Sequence, residues 1–156
     1  MKPTILALDL EGTLISNAIS QIPRPGLYSF LEDIHALFDQ LMMFTTVPEQ
    51  RFRSIATLLV EEGSAPAWFA ALPYISWSGK TKDLRLASLH MGDALLLDDH
   101  GPYVHPGQEG QWVQIPLFGS PYSPTDDGLS VALQRLLDRL ATVDGGVRTV
   151  AGRDGA

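Results

Sequence analysis

The chain has 156 residues, of which 45% are hydrophobic, and its 18 acidic against 11 basic side chains give a formal net charge of -7. That length fits one domain with an ample core. The acidic balance, with a pI near 4.9, argues against binding to nucleic acid or to an anionic membrane, both of which call for a basic face. There is no cysteine, which excludes disulfides, thiol catalysis and thiolate zinc sites.

Ile5 to Leu8 is an apolar run with the length of a strand buried on both faces. It starts so close to Met1 that no signal peptide is expected. No apolar run reaches the length of a membrane span, and a cytoplasmic location is expected. The strand ends on Asp9, with Glu11 and the turn-permissive Gly12 directly after it. Two carboxylates so close together are costly to bury unless a cation or hydrogen bonds offset their repulsion. Residues 16–21 are polar and aperiodic, a loop, and Pro23-Arg24-Pro25-Gly26 then opens a helix. Leu27, Phe30, Leu31, Ile34, Leu37 and Phe38 give that helix its apolar face. A second apolar run, Leu41 to Phe44, ends on Thr45-Thr46, and Val47-Pro48-Glu49 starts a helix carrying Phe52, Ile55, Ala56 and Leu59. Such alternation belongs to a parallel sheet.

Residues 64–79 are aromatic and punctuated by proline. They read as a packed connection over a sheet edge, with a short strand around Tyr74 to Trp77. Lys80 and Lys82 precede a short helix near Asp83 to His90, and Ala94 to Leu97 is a third apolar run, ending on Asp98-Asp99. After a loop over 101–110, Trp112 to Ile115 forms a last strand. Leu129, Leu133, Leu136, Leu137 and Leu140 mark a closing helix, with Thr125, Asp126 or Asp127 as its cap. From Val143 the sequence is glycine-rich without apolar period, so the domain is expected over 1–142 and a disordered tail over 143–156. The expected fold is a single α/β domain, a Rossmann-like three-layer sandwich with a parallel sheet of about five strands and helices on both sides.

In such a sheet the strand ends lie side by side at one edge. Asp9 with Glu11, Thr45, and Asp98 with Asp99 therefore converge, and a lysine at 80 or 82 can reach the same edge. Hard oxygen ligands with spare positions suit Mg²⁺ bound together with a phosphate, while an ammonium and a hydroxyl suit the remaining phosphate oxygens. Phosphoryl transfer needs all of these at once.

The motifs Asp9-Leu10-Glu11-Gly12-Thr13, Phe44-Thr45-Thr46, Lys82-Asp83-Leu84 and Leu96-Leu97-Asp98-Asp99, with Arg24-Pro25-Gly26-Leu27 between the first two, resemble the haloacid dehalogenase superfamily of phosphohydrolases. Within it the chain is most similar to the capless NLI-interacting-factor and RNA polymerase C-terminal-domain phosphatases, over residues 4 to 140. The resemblance implies a Mg²⁺-dependent phosphatase with Asp9 as the nucleophile that forms an aspartyl-phosphate. Glu11 would be general acid/base and a metal ligand through its backbone carbonyl. Thr45 and Lys82 would complete the catalytic set. Leu10, Gly12, Thr13, Thr45, Thr46 and Lys82 would bind phosphate, and Asp9, Glu11, Asp98 and Asp99 would hold Mg²⁺. Lys82 rather than Lys80 is implied by the Lys-Asp-Leu triplet.

Glu11 stands where the family usually has aspartate. One extra methylene moves the carboxyl by about a bond length, and displacements of ~1 Å can cost ~10²-fold. The competing reading is therefore a catalytically weak binding or regulatory module that keeps the fold and the metal. The short loop after Leu14 leaves no room for a large cap. That points to a phosphorylated substrate that is a phosphoprotein or a bulky metabolite, with no nucleic acid and no membrane as partner. His35 and His90 read as structural, His100 and His105 as rim residues, Arg51 and Arg53 as solvated, and Arg24 as a contact for substrate anions.

Overall fold

The computed structural model describes residues 2–90 and 92–154, with side chains as far as residue 142. Strand β1 (Ile5–Leu8), helix α1 (Leu27–Leu37), β2 (Gln40–Met43), α2 (Glu49–Glu61), β3 (Ala94–Asp98), β4 (Trp112–Gln114) and α3 (Gly128–Asp154) follow in chain order. All strand pairs are parallel, in the order β2-β1-β3-β4. The chain leaves β1 to one side for β2 and returns on the other side at β3. The crevice at the carboxyl end of β1 is thus the switch point where open α/β sheets place their sites.

The sheet has four strands rather than five among the described residues, because Tyr74 makes only an isolated bridge to Met43 instead of a strand. The short helix expected near Asp83 to His90 is a 3₁₀ turn, Leu84–Leu86.

The helices also sit differently from expectation. Leu6, Leu8, Leu41, Met43, Leu95, Leu97 and Val113 form one core with residues of α1 (Leu31, Ile34), α2 (Phe52, Ile55) and α3 (Ala132, Leu136). The alternate strand residues Ile5, Ala7, Ala94 and Leu96 pack with Phe44, Ile75 and Leu84, and with the partly buried Trp77 and Ala87. All three helices therefore cover one face, and the irregular segment 75–87 covers the other. Because side chains alternate along a strand, both faces become apolar whatever covers them.

Local signals set the helix ends. Gly26, at φ +83°, takes the left-handed conformation and accepts Phe30 N–H through its carbonyl. Pro48 precedes α2, whose Glu49 pairs with Arg53 one turn on. Of the three expected caps of α3, Asp126 accepts the Gly128 amide. Helix α3 runs past residue 142, and the side chains of 143–156, on which the expected tail falls, lie outside the described residues. Among the described residues no helix is long and apolar enough to cross a membrane.

Candidate functional site

Lys82 is the centre of the site. Its backbone arrives on the bridge to Val104, with Lys82 N–H donating to Tyr103 O at 2.7 Å. Its fully buried ammonium donates to Asp9 Oδ1 at 2.9 Å and to Asp98 Oδ2 at 2.6 Å, and lies 4.9 Å from the Tyr103 ring centroid. Burial works against the charge, but Asp9 and Asp98 outweigh it and hold the Lys82 pKa above its ordinary value. Lys80, the competing lysine, is exposed.

Three carboxylates gather here, two of them on this one ammonium. Asp9, Asp98 and Asp99 each bring an oxygen within 4.8 Å of the others. Burial, joined by repulsion from Asp9, pushes Asp98 up to about 6. Burial and contact with Asp9 push Asp99 up to about 7. Thr13 Oγ1, fully buried, shares its single proton between Asp9 Oδ2 (2.9 Å) and Asp99 Oδ1 (3.2 Å). The excess negative charge and the all-oxygen donor set fit a hard divalent cation such as Mg²⁺. Asp98 already accepts Lys82 and the His100 amide (2.9 Å), which makes half-buried Asp99 the more accessible of the pair.

Metal binding competes with protonation of these groups. Mg²⁺ at a hundredfold excess over its Kd would add about 2.7 kcal/mol, raising Tm by roughly 5–10 °C for a domain of this size. The gain is expected at pH 8 and should shrink towards pH 6. Without metal the sign is opposite. Both carboxylates bind protons more tightly folded than unfolded, so their contribution to stability grows as pH falls from about 7 towards 4. Thermal melts that ignore Mg²⁺ at every pH would rule out the metal site.

The turn after β1 is closely built. Gly12 lies at φ +75°, and a Cβ there would come within 2.7 Å of Leu117 Cδ1 and 3.0 Å of Asp99 Oδ2. Both the backbone conformation and the approach of Asp99 require glycine. The Gly12 amide, expected to bind phosphate, donates to Ile15 O (2.8 Å) and Ser16 O (3.2 Å), and the Thr13 amide donates to Leu10 O. Leu10 itself is fully buried. Residues 14–24 fold back as a small hairpin, with Arg24 N–H on Leu14 O and Ser16 N–H on Ile22 O. Glu11 stands at its base: Oε2 accepts the Ala18 amide at 2.7 Å, and Arg51 of α2 donates to Ala18 O at 2.6 Å. The Glu11 carboxylate is thus not part of the aspartate cluster.

Thr45 is brought alongside just past β2, where Phe44 N–H donates to Leu8 O. Its buried hydroxyl accepts the Val47 amide at 3.1 Å, which leaves the hydroxyl proton for a ligand. Thr46 beside it is exposed.

Other side chains depart from their sequence reading. Arg24 is not free to meet a substrate anion. It is fully buried, donating to Asp126 (Nε–Oδ2 2.7 Å) and to the carbonyls of Gly12 (3.3 Å) and Thr13 (3.1 Å). Arg53 is likewise engaged, with the carbonyls of Ala70 and Leu72. His105 bonds Thr81 Oγ1 at 2.8 Å and lies 3.6 Å from Asp83, bracing the strand of chain before and after Lys82. His35 stacks on Trp68 and His100 lies against Tyr103. Tyr103 and Trp77 carried no motif and were missed, and Asp126 was expected only as a helix cap and not as the partner of Arg24. Only the aromatic enrichment of residues 64–79 hinted at Trp77.

A family model described as NLI interacting factor-like phosphatase matches residues 4–148 of the chain. No curated protein matches it.

Proposed function

The chain belongs to the NLI interacting factor-like phosphatase family, and from that premise we propose a Mg²⁺-dependent phosphomonoesterase that works through an aspartyl-phosphate on Asp9. The observation that carries the proposal is Asp9 held between a buried ammonium and a buried hydroxyl, Lys82 on Oδ1 and Thr13 on Oδ2. This clamp aims the carboxylate and pre-organises positive charge where phosphoryl oxygens gather.

An Asp9 oxygen attacks phosphorus, the bond to the ester oxygen breaks, and Glu11 gives its proton to the departing alkoxide. Water then attacks the phosphoryl group, Glu11 takes up its proton, and the bond to Asp9 breaks to release inorganic phosphate. Lys82 and the Thr45 hydroxyl hold phosphoryl oxygens through both steps. Mg²⁺ held by Asp9, Asp98 and Asp99, with the Glu11 carbonyl as a further ligand, would supply the charge that lets a phosphate dianion approach three carboxylates. The hairpin 14–24 is no cap domain, and the open mouth suits a phosphoprotein or a bulky phosphorylated metabolite.

Glu11 Oε2 is engaged with the Ala18 amide, and this one bond favours a second reading, in which Glu11 only staples the hairpin and catalysis is weak. Glu11→Gln separates the two. Glutamine can still accept the Ala18 N–H, so Tm should not change. Loss of the proton carrier should lower kcat by about 10²–10⁴-fold. The measurement is hydrolysis of a phosphomonoester with Mg²⁺ and with chelator. Metal-dependent turnover in wild type that survives intact in Glu11→Gln would remove Glu11 from the mechanism, and no turnover in wild type would favour the binding module.

A further inference from the structure

A cavity of about 360 Å³ opens beside Thr45, walled by Tyr74, Trp77 and Pro48 and edged by Thr46 and Ser78. The contacts of Trp77 tie it to the reaction centre. Its Nε1 donates to Thr45 O at 2.7 Å, and its ring meets Tyr103 edge-to-face at 6.3 Å. Tyr103 in turn lies under the Lys82 ammonium, 4.9 Å away, and Lys82 holds Asp9. Asp9, Lys82, Tyr103, Trp77 and Thr45 thus form a continuous chain of contacts, and its last two members line the cavity.

Both aromatic walls are immobilised through their polar ends. Tyr74 OH donates to Val47 O at 2.6 Å, as Trp77 does to Thr45 O. A further edge-to-face contact with Phe44, at 5.5 Å, fixes the Trp77 ring plane. With their polar atoms committed to backbone carbonyls, the two side chains have only ring surface to offer a ligand. A flat π-system gains more from such walls than a saturated ring of equal size.

We propose that this cavity is the leaving-group subsite and that it takes a planar aromatic ring attached close to the phosphoester oxygen. The proposal rests on the phosphatase reading given above. With the Thr45 hydroxyl on a phosphoryl oxygen, the group beyond the ester oxygen would enter the slot that Thr45 borders, between Tyr74 and Trp77.

The test compares benzyl phosphate with cyclohexylmethyl phosphate, which share a CH₂–O leaving atom and differ in planarity. Wild type should favour the benzyl ester roughly 3- to 10-fold in kcat/KM, mainly through KM. The preference should fall to about 1 in Trp77→Leu. Ser78→Leu crowds the slot from an exposed position, keeps the Trp77 bonds, and should also abolish the preference if Trp77→Leu does not fold. Calorimetric binding of benzylphosphonate against cyclohexylmethylphosphonate reads the subsite without turnover. Equal kcat/KM values, or a preference untouched by Ser78→Leu, would overturn the subsite. If neither ester were hydrolysed, the phosphatase reading would fail. The phosphonate pair would still decide the subsite: tighter benzyl binding lost in Ser78→Leu supports it, and equal binding refutes it.

Discussion

Asp9→Asn is expected to lower phosphomonoester turnover by on the order of 10⁴–10⁶-fold, the scale seen when a covalent nucleophile is removed from an intact site. The substitution is nearly isosteric, and the surroundings tolerate it. An amide oxygen can face Lys82 Nζ, now 2.9 Å from Oδ1, while the amide nitrogen faces Thr13 Oγ1, which can turn its own proton to Asp99. Asp9 is one of three clustered carboxylates that share a single ammonium through Asp9 and Asp98, so its neutralisation relieves repulsion on Asp98 and Asp99. Tm without Mg²⁺ should stay level or rise, and the stabilisation by Mg²⁺ should shrink. Steady-state assays and thermal melts on the same preparations read both effects. A variant that retains more than about a hundredth of wild-type turnover would exclude Asp9 as nucleophile.

The largest loss of stability is expected at Arg24. Truncation to alanine leaves Asp126, whose side chain is one-fifth exposed, without its cation, and strips the Gly12 and Thr13 carbonyls of their donor. Breaking such a pair costs about 3–5 kcal/mol, or roughly 6–20 °C in Tm for a domain of this size. Lysine should rescue little, since a single ammonium cannot span a carboxylate and two carbonyls as the guanidinium does. Gly128→Ala probes the same joint from the other side. In an ordinary helix that exchange stabilises by up to about 1 kcal/mol. Here the new methyl would overlap the Arg24 guanidinium, coming within 2.8 Å of Nε and closer still to Cζ and Nη2, so the sign should reverse. If Arg24 instead bound substrate anions, Arg24→Ala would raise KM and leave Tm unchanged.

By itself the sequence determined the alternation of strands and helices, the strand ends on which Asp9, Thr45 and Asp98 stand, and the family. Each of these is a local signal: an apolar run of strand length, a helical period, a Gly or Pro at a boundary, a short motif. A three-residue motif pointed to Lys82 over Lys80, and the structure buries Lys82 between Asp9 and Asp98 while Lys80 is exposed.

What the strands pack against was not legible. Runs such as Leu95-Leu96-Leu97 are apolar on both faces, which says that both are covered without saying by what. Only the fold put α1, α2 and α3 on one side and residues 75–87 on the other. Partnerships between distant residues were hidden for a similar reason. Arg24 meets Asp126 across 102 positions, and Trp77 reaches Thr45 across 32. Neither pair has a spacing that periodicity or a motif can reveal. Glu11 shows the same division within a single residue. Its place in the motif was read from the sequence, but its bond to the Ala18 amide depends on how the hairpin 14–24 closes, and a backbone donor leaves no mark in a string of side chains.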